Sequence, residues 1–402
     1  MKLAANTLGI YVQVPFCQTK CTYCNFHTGV VSTGRFAPYV EAVCQEIRGH
    51  REFYRAAGVN LPAGFEKAIV DTVYFGGGTP SLLEPELLGR MIGAIRETSA
   101  EGGASPSPTG ELLEVTLEAD PETVTSEKAE AWVSAAINRV SFGVQSFSDR
   151  ELVAAGRMHR QADIYRAAAT LRDAGIRNIS FDLIAGLPFQ TKESWGESLE
   201  ELGKLAPEHV SVYLLEVDEG SRLGLEILQS GARYSARAVP SDDSMAEFYE
   251  EACTFLGERG YHHYEISNWA RPGFESRHNL KYWRREEYLG FGAGAHSFSG
   301  TQRWANAHDA AAYVGAIETG RLPIEQLEPV TPESALEEEL FLGLRQLDGI
   351  DVGRIEREYG VGLGDRFKGL QASGLVERCG DVVRLAPARL SVSNEVFVEL
   401  MR

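Results

Sequence analysis

The chain has 402 residues, a formal net charge of −18, 44% hydrophobic residues and six cysteines. This length allows one large core and at least one smaller unit. The acidic balance argues against nucleic acid as a partner, because phosphate binding requires clustered lysine and arginine. No stretch approaches the roughly 20 apolar residues that span a bilayer. Because the start of the chain also lacks a signal-peptide pattern, we expect a cytoplasmic protein without transmembrane segments.

Strand-like and helix-like patterns alternate through the first half of the chain. The predicted strands cover residues 10–14, 72–75, 113–118, 139–143, 178–183 and 209–214. The predicted helices between them cover residues 39–55, 84–97, 126–136, 163–174 and 192–205. Such alternation favours parallel strands joined by helical crossovers. Six units predict an α/β fold, a partial (β/α)6 TIM-like barrel, and the pattern alone leaves a doubly wound sheet open.

The pattern changes near residue 331. Helices are predicted at 334–346, 352–359 and 364–373, and a strand pair at 375–377 and 382–385. This order resembles a winged-helix module, yet the segment has nine basic and thirteen acidic residues, so a DNA-reading role is disfavoured. We predict a barrel over 1–240, a barrel-completing segment over 241–330, and a C-terminal α+β winged-helix-like module over 331–402. Residues 100–110 are predicted to form a flexible surface insertion.

Glycines or polar side chains follow five predicted strands in turn. Cysteines follow the first strand and glycines 76–78 the second, while Glu118, Gln145 and Asp182 come at the ends of the next three. In barrel enzymes the carboxyl ends of the strands form one face, where ligands bind. The sequence therefore predicts that these residues converge on one site.

The spacing of Cys17, Cys21 and Cys24 is the most specific signal in the chain. Thiolates are the usual ligands of iron–sulfur clusters. Three of them leave one iron of a four-iron cube open, and a bidentate amino-carboxylate would fill that position. The alternative is a zinc site with His27 as a fourth ligand, which is less favoured because no second cysteine pair accompanies the triplet. The other cysteines, Cys44, Cys253 and Cys379, are interpreted as small buried hydrophobes.

Several further residues could contact a ligand at this face. Glycines 76–78 would let backbone amides approach a ligand closely, although a simple tight turn is the alternative. Glu118 could accept from an amine or a hydroxyl, and Arg157 could pair with a carboxylate, unless each is only a solvated surface charge. Gln145 and Asp182 could bind hydroxyls or exocyclic amines.

In order and spacing, the motifs resemble those of the radical S-adenosylmethionine (SAM) superfamily, and within it the HemN-like branch. The matching strings are YVQVPFCQTKCTYCNF at 11–26, GGGTP at 76–80, EADP at 118–121, SFGVQSF at 141–147, GRMH at 156–159 and DLIAGLP at 182–188. The resemblance implies a partial barrel over a [4Fe–4S] cluster. It also implies that Tyr11, Gly77 and Glu118 hold the cluster-bound SAM. The residues implied to line a second SAM pocket or its remnant are Tyr23, Gly78, Thr79, Gln145, Arg157 and Asp182.

Two subfamilies of this branch differ at two motifs. The coproporphyrinogen dehydrogenases have a further cysteine two residues after the third cluster ligand, where this chain has Phe26. The string HNLKYW at 278–283 matches the H-N-x-x-Y-W signature of the HemW group instead. Gln13 stands where relatives usually have histidine, so a proton-handling role at that position is in doubt.

The resemblance to the HemW group implies a heme chaperone. It would bind heme and pass it to acceptor proteins, including membrane-associated respiratory enzymes, and an electron donor would serve its cluster. The alternative is an oxygen-independent coproporphyrinogen III dehydrogenase. His278 is the first candidate for contact with heme, against the alternative that its motif is a structural lock under the barrel. His262, His263 and His296 are interpreted as ordinary hydrogen-bonded histidines.

Overall fold

The computed structural model describes residues 7–61, 68–101, 112–321 and 323–400. Strands and helices alternate through its first half, as predicted. In chain order the elements are β1 (Thr7–Val14), α1 (Phe36–Ala57), β2 (Ile69–Gly77), α2 (Pro85–Glu101), β3 (Glu114–Ala119), α3 (Ser126–Ser134), β4 (Arg139–Gln145), α4 (Asp149–Ala154), α5 (Gln161–Ala174), β5 (Asn178–Ala185), α6 (Lys192–Leu205) and β6 (His209–Leu214).

Shorter elements dominate the second half, and the prediction missed many of them. They are α7 (Arg222–Leu228), α8 (Asp242–Glu258), β7 (His262–Glu265), β8 (Asn268–Ala270), α9 (Arg277–Trp283), β9 (Tyr288–Phe291), β10 (His296–Phe298), β11 (Gln302–Asn306), α10 (Ala310–Glu318), β12 (Ile324–Pro329), α11 (Pro332–Arg345), β13 (Ile350–Asp351), α12 (Val352–Tyr359), α13 (Gly364–Ala372), β14 (Val376–Cys379), β15 (Val382–Leu385) and α14 (Ser393–Leu400). No helix of the described residues is long and apolar enough to cross a membrane.

One twelve-stranded sheet forms the body of the protein. Its hydrogen-bonded order is β12-β11-β10-β9-β1-β2-β3-β4-β5-β6-β8-β7. The six predicted strands β1 to β6 lie side by side in chain order and are parallel throughout. β9 extends this parallel set beside β1, while antiparallel strands form both ends of the order. The predicted α/β fold is confirmed, with the six strands neighbouring one another as a partial barrel requires.

Along the parallel strands, the side chains that face the helices are apolar, and those on the opposite face of the sheet are polar. Val12, Phe75, Leu117, Phe142, Phe181 and Val212 are each at most 1% exposed on the helix side. Because side chains alternate along a strand, the opposite face carries Gln13, Tyr74, Glu118, Ser141, Asp182 and Tyr213. Filled barrels have Val, Ile and Leu inside. This polar interior, the lumen, is therefore suited to a polar ligand.

Local capping signals fix the ends of the crossover helices. At the start of α6 the Thr191 hydroxyl accepts from the Ser194 N–H at 3.2 Å, and the Ser194 hydroxyl accepts from the Thr191 N–H at 2.9 Å. This reciprocal pair satisfies two donors that a helix leaves free at its amino end. Gly175 caps the carboxyl end of α5 with a φ of +101°, in the left-handed region that glycine adopts readily.

Helix α9 closes the amino end of the strands. Glu114, the first residue of β3, accepts hydrogen bonds from the N–H groups of Arg277 and His278 at 3.0 and 3.1 Å. The Lys281 ammonium lies 3.0 Å from Asp71 and 2.8 Å from the Thr7 hydroxyl, at the starts of β2 and β1. The opposite, carboxyl end of the strands carries the cysteine loop.

The C-terminal module contains the predicted helices and strand pair. α11, α12 and α13 precede the antiparallel pair β14–β15, and β13 adds a third strand beside β15. The strand β13 was not predicted, because it is only two residues long. The domain boundaries at residues 240 and 330 stay predictions.

Two local predictions need correction. Cys44 is buried and Cys253 half-buried, but Cys379 is exposed at the tip of the β14–β15 hairpin, so its interpretation as a buried hydrophobe was wrong. The predicted insertion at 100–110 begins inside α2, which continues to Glu101. Residues 102–110 lie outside the described part of the chain.

Candidate functional site

The cysteine loop is fastened to the turn that follows β2. The Gly78 N–H donates to the Val14 carbonyl at 2.9 Å, and the Thr79 N–H donates to the Phe16 carbonyl at 2.7 Å. The loop also closes on itself, since the Cys17 N–H donates to the Gly29 carbonyl at 3.0 Å. These bonds bring the ends of β1 and β2 together, as the order of the motifs predicted.

The three cysteines are free and half-buried in this loop. Burial raises the pKa of the Cys17 and Cys24 thiols above the ordinary value. The Cys21 sulfur accepts a hydrogen bond from Arg157 at 3.4 Å. Thr28 lies beside the Cys17 and Cys24 thiols, and among the described residues its buried hydroxyl has no hydrogen-bond partner of normal geometry.

This donor set fits an iron–sulfur cluster better than a single metal ion. Among the described residues, no three side chains of His, Cys, Asp or Glu are placed to hold one ion. A cluster spreads its thiolates over separate irons, and hydrogen bonds to its sulfurs tune it. The Thr28 hydroxyl and the Arg157 guanidinium are available as such donors. His27, the candidate zinc ligand, instead lies against the His308 ring, with the centroids 4.2 Å apart.

A charged network joins the cysteine loop to three strand ends. Arg157 forms an ion pair with Asp120 after β3 and donates to the Gly143 carbonyl of β4 at 2.9 Å. Asp120 also accepts from the Thr79 hydroxyl at 3.1 Å. Burial alone would lower the pKa of Arg157, but Asp120, Tyr23 and the Cys21 sulfur raise it well above its usual range. Arg157 therefore stays charged beside the cysteines.

Close packing explains the glycines after β2. A Cβ on Gly77, whose φ is +108°, would lie 2.3 Å from the Gln13 amide, and one on Gly78 would lie 2.4 Å from the Phe16 carbonyl. The N–H groups of Gly77, Gly78 and Thr79 already donate to Glu118, Val14 and Phe16. The predicted role of these amides towards a ligand is therefore secondary to holding the loop against the strands.

Glu118 faces the lumen, and the two groups that donate hydrogen bonds to it are both neutral. Its oxygens accept from the Tyr74 hydroxyl at 2.9 Å and from the Gly77 N–H at 3.0 Å. Burial raises its pKa to about 7, and the nearby Asp182 carboxylate adds to the rise. A cationic ligand group would relieve both effects.

The remaining predicted ligand residues surround the same space. The Asp182 carboxylate accepts from the Ser141 hydroxyl at 3.2 Å, and burial raises its pKa. Gln145 ends β4 with a φ of 66°, which a bulky residue rarely adopts. Tyr11 donates to the Gln13 side chain at 2.7 Å, and Tyr23 contacts Cys21 and Arg157. All of these roles in binding stay predictions, but the residues do converge.

His278 is not placed to contact a ligand at this face. It is 1% exposed, and its ring nitrogens lie 3.0 Å from the Thr72 hydroxyl and 2.8 Å from the Tyr282 hydroxyl. Burial lowers its pKa to about 3, with a further contribution from Lys281. This arrangement at the amino end favours the structural lock over heme contact. His262 and His296 are exposed, and His263 stacks on Trp269 with the ring centroids 3.9 Å apart.

Sequence reasoning missed Arg139, the first residue of β4. Its side chain is 1% exposed, and its Nε and Nη1 have no hydrogen-bond partner among the described residues. Its positive charge acts to lower the pKa of Tyr74 and of Asp182, against the effect of their burial. The signal was available, because the strand period turns position 139 to the same face as Ser141. The ion pair between Asp120 and Arg157 was also missed, although Asp120 belongs to the EADP string.

Family models match two parts of the chain. The Radical SAM superfamily matches residues 11–202, and the HemN C-terminal domain matches residues 330–388. Among solved structures, coproporphyrinogen III oxidase (HemN) of Escherichia coli superimposes with a TM-score of 0.80 at 22% identity, covering 98% of this chain and 90% of that one. At that identity the likeness shows a shared fold.

Curated relatives match over nearly the full length. Heme chaperone HemW of Bacillus subtilis strain 168 is 34% identical over 96% of this chain and 97% of the relative. Heme chaperone HemW of Lactococcus lactis is 33% identical over 87% of this chain and 84% of the relative. The radical SAM match implies a [4Fe–4S] cluster and SAM. The chain therefore belongs to the radical SAM superfamily and, within its HemN-like branch, to the HemW family.

Proposed function

We propose that this chain is a heme chaperone, which binds heme and transfers it to acceptor proteins. The observation that carries the proposal is the likeness to Heme chaperone HemW over 97% of that relative's length. Phe26 supports it, because a dehydrogenase of this branch has a further cysteine there, and Phe26 is instead 65% exposed. An exposed phenylalanine beside the cysteines adds no cluster or proton chemistry.

The proposal assigns a [4Fe–4S] cluster to Cys17, Cys21 and Cys24. Arg157 would hold the loop in place through Cys21 and supply positive charge next to an anionic cluster. When bound, such a cluster supplies the electron for reductive cleavage of SAM. The polar lumen directly beneath the loop provides the hydrogen-bonding surface that SAM requires.

Two sets of residues are proposed to hold SAM. Tyr11, Gly77 and Glu118 would bind the molecule on the cluster, with the Glu118 carboxylate accepting from an N–H of its amino group. The second pocket or its remnant would be lined by Tyr23, Gly78, Thr79, Gln145, Arg157 and Asp182. Because Arg157 is already paired with Asp120, a carboxylate ligand there would have to share the guanidinium.

The proposal also names partners and a place of action. Heme is the cargo, and the acceptors are heme proteins, including membrane-associated respiratory enzymes. An electron donor would reduce the cluster, and we infer that the protein works in the cytoplasm. The net charge of −18 keeps nucleic acid out of this scheme.

Anaerobic reconstitution tests the proposal. Iron and sulfide are added to the purified chain, hemin is titrated by absorption, and the same sample is assayed with coproporphyrinogen III. We expect stoichiometric heme binding and no protoporphyrinogen. Absence of heme binding under reducing conditions would overturn the proposal, and protoporphyrinogen would show the dehydrogenase reaction instead.

The cluster assignment has its own test. Cys21→Ala removes one thiolate and the Arg157 contact, so we expect loss of the brown iron–sulfur absorption and of bound iron. Cys379→Ala is the matched control, because that thiol is exposed and lies on the C-terminal hairpin. Iron retained by Cys21→Ala, or zinc in the wild-type protein, would contradict the assignment.

A further inference from the structure

A groove of about 660 Å³ lies beside the cysteine loop. Its walls come from four places in the chain: Thr22 of the loop, Arg150 and Val153 of α4, Phe189 after β5, and Tyr234 after α7. None of these residues except Thr22 lies in a motif quoted for the cluster or SAM. Thr22 is thus the one residue that the groove lining shares with these motifs.

The cysteine loop forms one wall of this groove and is held there on both sides. The Thr22 N–H donates to the Ala155 carbonyl at 3.0 Å, at the end of α4. The Thr22 carbonyl accepts from the Leu223 N–H at 2.8 Å, at the start of α7. Arg222 also donates to the Lys20 carbonyl of the loop. The groove and the cysteines thus share one short stretch of backbone.

Apolar surface dominates the groove. Val153 is 57% exposed, although valine on a helix normally packs inward. The rings of Phe189 and Tyr234 lie next to it in the lining, and each is half-buried. Apolar surface of this kind is stabilised when a ligand covers it.

The backbone of the groove is held in an unusual conformation. Phe189, Tyr234 and Ser235 have φ values of 70°, 54° and 59°, in the left-handed region that favours glycine. Each such residue costs about 1 kcal/mol or more, and strain of this kind concentrates at functional sites. The Phe189 N–H donates to the Ala238 carbonyl at 2.8 Å, which ties the two turns together. The rings are therefore displayed by a fixed backbone.

Guanidinium groups surround the two rings. Arg150 lies 4.0 Å from the centre of the Phe189 ring, and Arg222 and Arg233 lie 5.2 and 5.3 Å from that of Tyr234. Of these three arginines, Arg150 lines the groove, whereas Arg222 and Arg233 lie next to it over the Tyr234 ring. Asp149, the acidic residue of the lining, is engaged by the Gln161 N–H at 2.9 Å. The planar guanidinium fork of arginine matches the geometry of carboxylates and of phosphates.

We propose that this groove is the heme site. The groove would recognise a flat apolar macrocycle with carboxylate arms. That this ligand is heme rests on the proposed function. Val153 and Phe189 would pack on the ring, and Arg150, Arg222 and Arg233 would bind the propionates. His, Cys, Met and Tyr side chains ligate heme iron, and Tyr234 is the only one of these among the described residues that line the groove. Its phenol is therefore assigned to the iron.

Hemin titration of the full-length, reconstituted protein tests the site, with Val153→Glu as the first variant. A glutamate there would remove apolar surface from under the macrocycle and compete with the propionates for Arg150, so we expect binding to weaken by about tenfold or more. Leu228→Glu is the matched control, because Leu228 is 55% exposed on α7 and does not line the groove. We expect it to bind as the wild-type protein does.

Two milder variants keep the test independent of folding. Tyr234→Phe retains the ring but removes the assigned ligand atom, so we expect the heme absorption bands to shift. Arg150→Gln retains a polar side chain and should weaken binding several-fold, to a degree that depends on salt. Thermal melting and the iron–sulfur absorption confirm that each variant is folded.

The outcomes separate this inference from the proposed function. If the wild-type protein binds heme and the three groove variants bind with unchanged affinity and spectrum, the site is wrong while the chaperone proposal stands. If Leu228→Glu weakens binding as much as Val153→Glu, the effect is not local and the site is also wrong. If the wild-type protein binds no heme, both the site and the chaperone proposal fall.

Discussion

Glu118 shows how one strand position prepares a carboxylate for a cationic ligand. Its partners are the Tyr74 hydroxyl and the Gly77 N–H, both neutral. Because burial raises its pKa to about 7, the group exchanges its proton near physiological pH. In the unfolded chain the same group ionises at lower pH, so its ionisation lowers folding stability as the pH rises towards 7.

We predict that SAM affinity rises with pH through the ionisation of Glu118. The ionised carboxylate is a better acceptor for the SAM amino group and is attracted by the positive sulfonium, so wild-type affinity should increase several-fold between about pH 6 and pH 8. Glu118→Gln should bind more weakly at pH 8 and show little dependence on pH. Calorimetric titration with SAM at both values checks this. Equal pH dependence in the variant would contradict the assignment.

The helix α9 fastens the amino end of the sheet through buried polar contacts. Its first N–H groups donate to Glu114, and His278 spans from Thr72 to Tyr282 within the helix. These groups are buried, so each lost partner leaves a donor or acceptor without compensation. The H-N-x-x-Y-W string accordingly has a structural task that any ligand role would have to share.

We predict that His278→Leu destabilises the fold but leaves heme binding intact. Removing both side-chain hydrogen bonds should lower the free energy of unfolding by about 2–4 kcal/mol. His278 is held neutral with a pKa of about 3, while the unfolded chain binds a proton below about pH 6.5. The wild-type stability should therefore fall as the pH drops from 7 towards 5, and the variant should lose this part of the slope.

Denaturant unfolding at two pH values, with hemin titration in parallel, measures both effects. His262→Leu serves as the control, because that ring is exposed. A His278→Leu protein that is fully stable yet unable to bind heme would restore His278 as the heme contact.

The six parallel strands could be predicted because their signals are local. Each has an unbroken set of apolar residues on the helix side, and the limits of α6 and β6 were predicted to the residue. The strands β9 to β12 could not, since β10 has three residues and is defined by its pairing with β9 and β11. Their place depends on contacts between distant parts of the chain.

The site divides in the same way. The cysteines and the strand-end residues could be predicted to converge, because parallel strands end at one edge. The groove could not, since Phe189 and Tyr234 are 45 residues apart in the chain and meet only in the folded structure. His278 could not be placed either, because nothing local distinguishes the two ends of the barrel.

The C-terminal module is attached to the sheet by charged side chains. Glu338 of α11 binds Arg303 of β11 at 2.7 Å and Arg285 after α9 at 3.0 Å. Glu265 of β7, which is 0% exposed, lies 3.3 Å from Arg345 at the end of α11. α11 therefore contacts both antiparallel ends of the large sheet.

We predict that Glu338→Ala loosens this attachment. The change leaves two partly buried guanidinium groups without their shared carboxylate, at a cost of about 1–3 kcal/mol. Calorimetry should show the C-terminal part melting earlier, and proteolysis should cut faster near residue 330. Glu377→Ala is the control, because its ion pair with Arg384 is half exposed and contributes little. A single unchanged melting transition in Glu338→Ala would count against the prediction.

Thr22 couples the state of the cysteine loop to the groove beside it. Its amide and carbonyl are bonded to two helices, so the loop cannot relax after metal loss without pulling on α4 or α7. Air damage at the sulfurs should consequently reach the arginine-lined surface a few residues away. Heme bound in the groove would then be retained while the cluster is intact and released when the cluster is lost.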